Sequence, residues 1–133
     1  AGYGRDIHNY LKRANDEIFV MLQVETPQAI ENLQEIGKIP GVDALFIGPM
    51  DLSTSMGYFG NPAHPEVQAA IAKVEAKAKE LGMPLGTISG SWEQAKALFD
   101  RGYQLITLTS DSVVLSKVAA ETMAKFREVF PQG

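Results

Sequence analysis

Residues 18–51, IFVMLQVETPQAIENLQEIGKIPGVDALFIGPMD, hold a strand–helix–strand unit in which each strand-like run ends at an acidic residue. The run Ile18 to Val24 is continuously apolar apart from Gln23, as expected of a strand buried on both faces. Glu25 closes it. Thr26 can cap and Pro27 tolerates the first helical position, so a helix carrying Ala29, Ile30, Leu33 and Ile36 is predicted to about Gly37. Pro40-Gly41 then turns the chain into a second strand, Ala44 to Ile47, with Asp51 shortly beyond it. In a parallel α/β protein the C-terminal ends of neighbouring strands share one rim, where Glu25 and Asp51 could hold one hard divalent cation.

The same unit repeats on both sides. A leading helix is expected over Ile7 to Ala14, and Gly48 to His64, rich in glycine and proline, is read as a long loop on the Glu25/Asp51 rim. Pro65 opens a helix to about Leu81, with Val67, Ala70, Ile71 and Val74 on one face and Gly82 as its stop. A short strand over Pro84 to Ile88 follows, then Ser91 and Gln94 at the spacing of a capping box, with Gly102 ending that helix. The fourth strand is Leu105 to Leu108, and Asp111 is expected to cap a last helix to about Phe130. Four consecutive βα units imply parallel strands and right-handed crossovers. Two architectures meet that requirement, a small open flavodoxin-like sheet and half of an eight-stranded βα (TIM) barrel, and periodicity does not choose between them.

Composition narrows the function classes. The chain has 133 residues, 45% hydrophobic content and a formal net charge of -4, which suits a globular domain with a core. Its lysines and arginines are scattered, giving no basic footprint for nucleic acid or an anionic membrane. There is no cysteine, so thiol nucleophiles, disulfides and zinc–thiolate sites are excluded. No apolar run reaches the length of a bilayer span and no signal peptide is evident, so a cytoplasmic location is expected.

A resemblance then makes the rim specific. QVETPQAIENL at 23–33, GVDALFIGPMDLSTSMG at 41–57, GNPAHPEVQAAI at 60–71 and TSD at 109–111 resemble the HpcH/HpaI family of class II pyruvate-dependent aldolases. The likeness runs over essentially the whole chain but matches only the second half of the family's domain, strands five to eight of a (βα)8 barrel. Residues 1–133 are accordingly expected to be a partial HpcH/HpaI-type domain. The resemblance implies that Glu25 and Asp51 bind Mg2+ or Mn2+. Gln23 would contact a 2-keto acid together with Asp51 and the backbone N–H of Met50, a position usually occupied by a small residue. The implied activity is that of a carbon–carbon lyase of the aldehyde-lyase type. It cleaves a 2-keto-3-deoxy or 4-hydroxy-2-keto acid to pyruvate and an aldehyde, or runs the condensation.

The same resemblance places the proton-transfer residues in the first half of the barrel, so no catalytic base is expected among these residues. The chain is expected to be inactive alone, to act with a complementing N-terminal half-barrel, or to hide its open strand edges by self-assembly, and the resemblance implies a homo-oligomer in which the last helix, Ser112 to Phe130, packs against a neighbouring subunit. A citrate-lyase-like or malyl-CoA-type lyase would share the metal chemistry but need a coenzyme A site that the sequence does not show. From a different class, a non-catalytic module that binds metal and keto acid, or completes a barrel, is the alternative. Each acid also has an ordinary explanation, Glu25 favouring a helix N-terminus and Asp51 being a loop acid. His64 is read as a loop or helix-start residue and not as a base, His8 as solvent-facing, Ser53 to Ser55 as turn hydrogen bonders, and Lys73, Lys77 and Lys79 as a solvated helix face.

Overall fold

A computed structural model describes residues 2–131. The chain divides into two compact units, one reaching to Leu85 and the other starting at Gly86.

The first unit follows the expected alternation with α1 (Ile7–Glu17), β1 (Met21–Val24), α2 (Pro27–Glu31), α3 (Leu33–Ile36), β2 (Ala44–Ile47), α4 (Pro49–Ser55) and α5 (Pro65–Leu81). β1 and β2 are parallel, with Met21 opposite Ala44 and Val24 opposite Ile47. The Leu45 N–H donates to the Pro84 carbonyl at 2.9 Å, so the segment entering the third strand lies beside β2 rather than β1. A flavodoxin-like order would put the third strand next to the first. Succession of neighbours in chain order is instead what a barrel half requires.

The core of this unit forms where α5 covers β2. Val67, Ala70, Ile71, Val74 and Ala78 recur at helical spacing along α5 and are buried, and α5 packs on α2, α3, α4 and β2. Leu33, Leu45, Ile47 and Leu52 are at most 1% exposed. Each such side chain contributes about 1.5–3 kcal/mol relative to exposure. Gly82 ends α5 in the left-handed region at φ 66°, where a side chain would be strained.

Four sequence expectations shift here. Ile18, Phe19 and Val20 precede β1 and are exposed, so only the last four residues of that apolar run, Met21 to Val24, form the strand, and of these Val24 is the buried one. The single helix expected from Pro27 to Gly37 breaks at Asn32 (φ −92°, ψ 3°) into α2 and α3. α1 continues past Ala14 to Glu17, where an Arg13–Glu17 ion pair at 3.0 Å spans its last turn. The segment 48–64 is not all loop, because its first residues form α4.

In the second unit, β3 (Leu85–Ile88, its first residue in the preceding unit) runs parallel to β4 (Leu105–Thr107), with Thr87 opposite Ile106. Between them α6 (Trp92–Asp100) packs on β4 and buries Ala95 and Leu98. Ser91 caps α6 by accepting from the Gln94 N–H at 3.1 Å, and the Gln94 side chain reaches back to the Gly90 N–H at 2.6 Å. The predicted capping box is therefore built with its return bond one residue early. The last helix, α7 (Asp111–Val129), buries no residue. Its N-cap is Ser110, whose Oγ accepts from the Val113 N–H, and Asp111 is the first helical residue, not the cap. Among the described residues no helix is long and apolar enough to cross a membrane, and no buried side-chain nitrogen or oxygen lacks a partner.

Candidate metal and keto-acid site

Glu25 and Asp51 belong to the first unit and owe their places to two adjacent strand ends. Along β1, Gln23 is exposed, Val24 is 1% exposed and Glu25 is half-buried. That alternation is the period of a strand, and it puts Gln23 and Glu25 on the same side. The strand stops because Thr26 caps α2, its Oγ1 accepting from the Ala29 N–H at 3.1 Å, while Pro27 needs no donor. On the neighbouring strand the Gly48 N–H reaches the Val24 carbonyl at 3.4 Å, extending the β1–β2 pairing by one residue. Glu25 and Gly48 therefore leave the sheet side by side.

Gly48 is also the N-cap of α4, with Pro49 as its first residue and Asp51 in its first turn. Gly48 offers no side-chain cap, so the first-turn N–H groups of α4, Met50 among them, have no side-chain acceptor from that position. Met50 is 52% exposed. Its carbonyl accepts from Ser53 Oγ at 2.7 Å and from Thr54 Oγ1 at 3.0 Å. Ser53 is fully buried, and its own carbonyl accepts from the Tyr58 N–H at 2.8 Å. The turn bonding expected of Ser53 and Thr54 is thus present, but it serves to fix the peptide just before Asp51.

The Glu25 carboxylate is held closely. Gln23 Nε2 donates to Glu25 Oε1 at 2.6 Å. A Cβ added at Gly48 would lie 2.7 Å from the same Oε1 and 2.9 Å from Glu25 Cγ. The sequence places Gly48 only at the start of a glycine- and proline-rich loop. In the structure its φ of −99° is open to any residue, and what it provides is room for Glu25. No local signal could have shown this, since the two residues are far apart in sequence and meet only through strand pairing.

A second feature adjoins α4. The Tyr58 and His64 rings stack with centroids 3.7 Å apart at 15°. His64 Nδ1 accepts from the Glu66 N–H at 3.3 Å, making His64 the N-cap of α5, as expected of a helix-start residue. A hydrogen bond to the Glu66 carboxylate, then burial and the Glu66 charge, raise the Tyr58 pKa above its ordinary 10.0.

The oxygen donors of Glu25 and Asp51, with the Gln23 carboxamide beside Glu25, are hard ligands of the type that Mg2+ and Mn2+ take. Among the described residues no group of three or more His, Cys, Asp or Glu could hold a metal. A cation here would therefore keep most of its positions for substrate and water. The room left by Gly48 for the Glu25 carboxylate fits that donor set. Elsewhere, the second unit has an apolar recess of about 280 Å³ lined by Trp92, Phe99, Ile106 and Leu108, with no carboxylate. Lys77 bonds Glu80 and Gln34 and does not stand as an amine nucleophile.

Comparison with known proteins gives the family and the fold. The model of the HpcH/HpaI aldolase/citrate lyase family matches residues 2–117. A 2-dehydro-3,6-dideoxy-6-sulfogluconate aldolase of Pseudomonas putida is 41% identical over 118 residues, which is 89% of this chain and 46% of that protein. A 4-hydroxy-2-oxo-heptane-1,7-dioate aldolase of Shigella sonnei is 41% identical over 120 residues, 90% of this chain and 46% of that protein. The crystal structure of an HpcH/HpaI aldolase/citrate lyase family protein from Burkholderia cenocepacia superposes with a TM-score of 0.80 at 34% identity, over 92% of this chain and 48% of that one. The chain spans about half the length of the curated relatives it matches. The fold is half of a (βα)8 barrel, not a flavodoxin-like sheet.

Proposed function

Because the chain belongs to the HpcH/HpaI aldolase/citrate lyase family, we propose that it carries the divalent-metal and keto-acid half of an aldolase site. Glu25 and Asp51 would hold Mg2+ or Mn2+, and Gln23, Asp51 and the Met50 N–H would orient the 2-keto acid. Bound there, the cation supplies Lewis acidity toward an oxygen that gathers negative charge. The supporting observation is the seating of the Glu25 carboxylate between the Gln23 amide and Gly48, beside the helix turn that carries Asp51.

The reaction is the aldol cleavage of a 2-keto-3-deoxy or 4-hydroxy-2-keto acid. Its C3–C4 bond breaks, the 4-hydroxyl loses its proton, C4 becomes an aldehyde, and the electron pair passes to the pyruvate enolate, which takes up a proton at C3. Names of the relatives, a sulfogluconate aldolase and a hydroxy-oxo-heptanedioate aldolase, support that substrate class. Within this chain Gln23 and the first turn of α4 hold the acid, while the base that takes the hydroxyl proton comes from a complementing first half of the barrel. Residues 1–133 are then the second part of one HpcH/HpaI-type domain. The exposed apolar residues of α7, Val114, Leu115, Val118 and Phe126 among them, support assembly as a homo-oligomer. The absence of cysteine fits a cytoplasmic location.

The test is an assay with pyruvate, aldehydes and added Mn2+ or Mg2+, on the chain alone and mixed with a separately expressed first half-barrel. Turnover only in the mixture supports the proposal. Metal binding without turnover in either would favour the non-catalytic binding module.

A further inference from the structure

Six glycines of this chain, Gly4, Gly41, Gly57, Gly60, Gly82 and Gly102, have positive φ and would present an added Cβ to open space. They are present for backbone conformation. Gly48 is the reverse case, with an ordinary φ of −99° and a Cβ position already filled by Glu25, whose Oε1, Cγ and Cδ lie 2.7, 2.9 and 3.2 Å away. Resting on the metal-site proposal above, we infer that Gly48 is a positioning residue whose missing Cβ forms the seat of the Glu25 carboxylate, with Gln23 as its latch.

The latch and the seat act on one atom. Oε1 takes the Gln23 amide at 2.6 Å and lies over Gly48, whereas Oε2 makes no hydrogen bond among the described residues. Oε2 is therefore the oxygen presented to a cation. The atoms that an alanine at 48 would strike belong to a side chain and not to the backbone. A Cβ there moves the carboxylate aside and leaves the sheet and α4 in place. The Gln23–Glu25 bond, which depends on where that carboxylate rests, is lost with it. Gly48 thus sets which oxygen of Glu25 faces the cation without touching cation or substrate itself.

The first measurement needs no metal. In the metal-free chain, the Gln23 side-chain amide resonances are followed by 15N–1H correlation NMR. Gly48→Ala should shift them as Glu25→Ala does, with the urea midpoint close to that of the parent chain. Unchanged Gln23 resonances in Gly48→Ala would overturn the inference, as would a midpoint that falls with them, which a merely structural role predicts. The second measurement is Mn2+ titration. Gly48→Ala should weaken binding by roughly tenfold or more, the scale on which groups that orient a ligand act. In a Glu25→Gln background it should add no further loss, because both changes act through one carboxylate. Equal losses in the two backgrounds would show that Gly48 acts elsewhere. A parent chain that does not bind Mn2+ would sink the metal assignment, and the seat would still stand or fall on the Gln23 resonances.

Discussion

Replacing Ser53 by alanine isolates what holds the first turn of α4. Ser53 Oγ is fully buried and donates to the Met50 carbonyl at 2.7 Å, and exposed Thr54 Oγ1 donates to the same carbonyl at 3.0 Å. Removing the Ser53 hydroxyl deletes a hydrogen bond but orphans nothing, since the Met50 carbonyl keeps the Thr54 donor. The expected cost is accordingly that of one neutral hydrogen bond, about 1 kcal/mol, and not the larger penalty of an unsatisfied buried group. For a domain of this size that is roughly 3–5 °C in Tm. Thr54→Ala, on an exposed hydroxyl, should cost about 0.5 kcal/mol or less. The double variant should lose more than the sum of the two, by about 0.5 kcal/mol or more, because only then does the carbonyl lose both side-chain donors. Urea unfolding followed by circular dichroism measures all three. Additive losses, or a Ser53→Ala variant as stable as the parent, would refute the shared-acceptor geometry.

Leu45, fully buried in the middle of β2, should cost about 2–5 kcal/mol when cut to alanine, read as a fall in the urea midpoint; a loss under about 1 kcal/mol would mean that α5 does not cover this strand. Tyr58 should titrate above 10.0 in an ultraviolet pH titration, and Glu66→Gln should bring it back down by removing the carboxylate that accepts its O–H. Since the folded-state pKa is the raised one, the Tyr58–Glu66 contact favours folding below about pH 10 and is lost as pH rises through the folded pKa. A tyrosine spectrum unmoved by Glu66→Gln would contradict the contact.

Features set by neighbours in sequence were readable from the sequence. Thr26-Pro27, Ser91 with Gln94, and Gly82 each act within one helical turn, and each helix end lies where those residues put it. α5 was readable because Val67, Ala70, Ile71, Val74 and Ala78 mark one face. α4 was not, because a two-turn helix leaves too short a period to see among glycines and prolines. Ser110 and Asp111 are both good caps, and only tertiary placement chooses between them. Ile18 to Val20 have the apolarity of a strand but precede the pairing, which Met21 opens opposite Ala44. At the site, the places of Glu25 just after β1 and of Asp51 shortly after β2 were legible from the strand runs. The Gln23 latch, the Gly48 seat and the Ser53 tie were not, since each depends on the strand pairing or on burial that only the fold creates.

The central claim, that Glu25 and Asp51 together hold a divalent cation, is tested most directly by titrating Mn2+ into the parent chain and into Glu25→Gln and Asp51→Asn. One site is expected in the parent, with affinity lowered by roughly tenfold or more in each variant, since each removes one of two carboxylate ligands. Variants that bind Mn2+ as the parent does would contradict it.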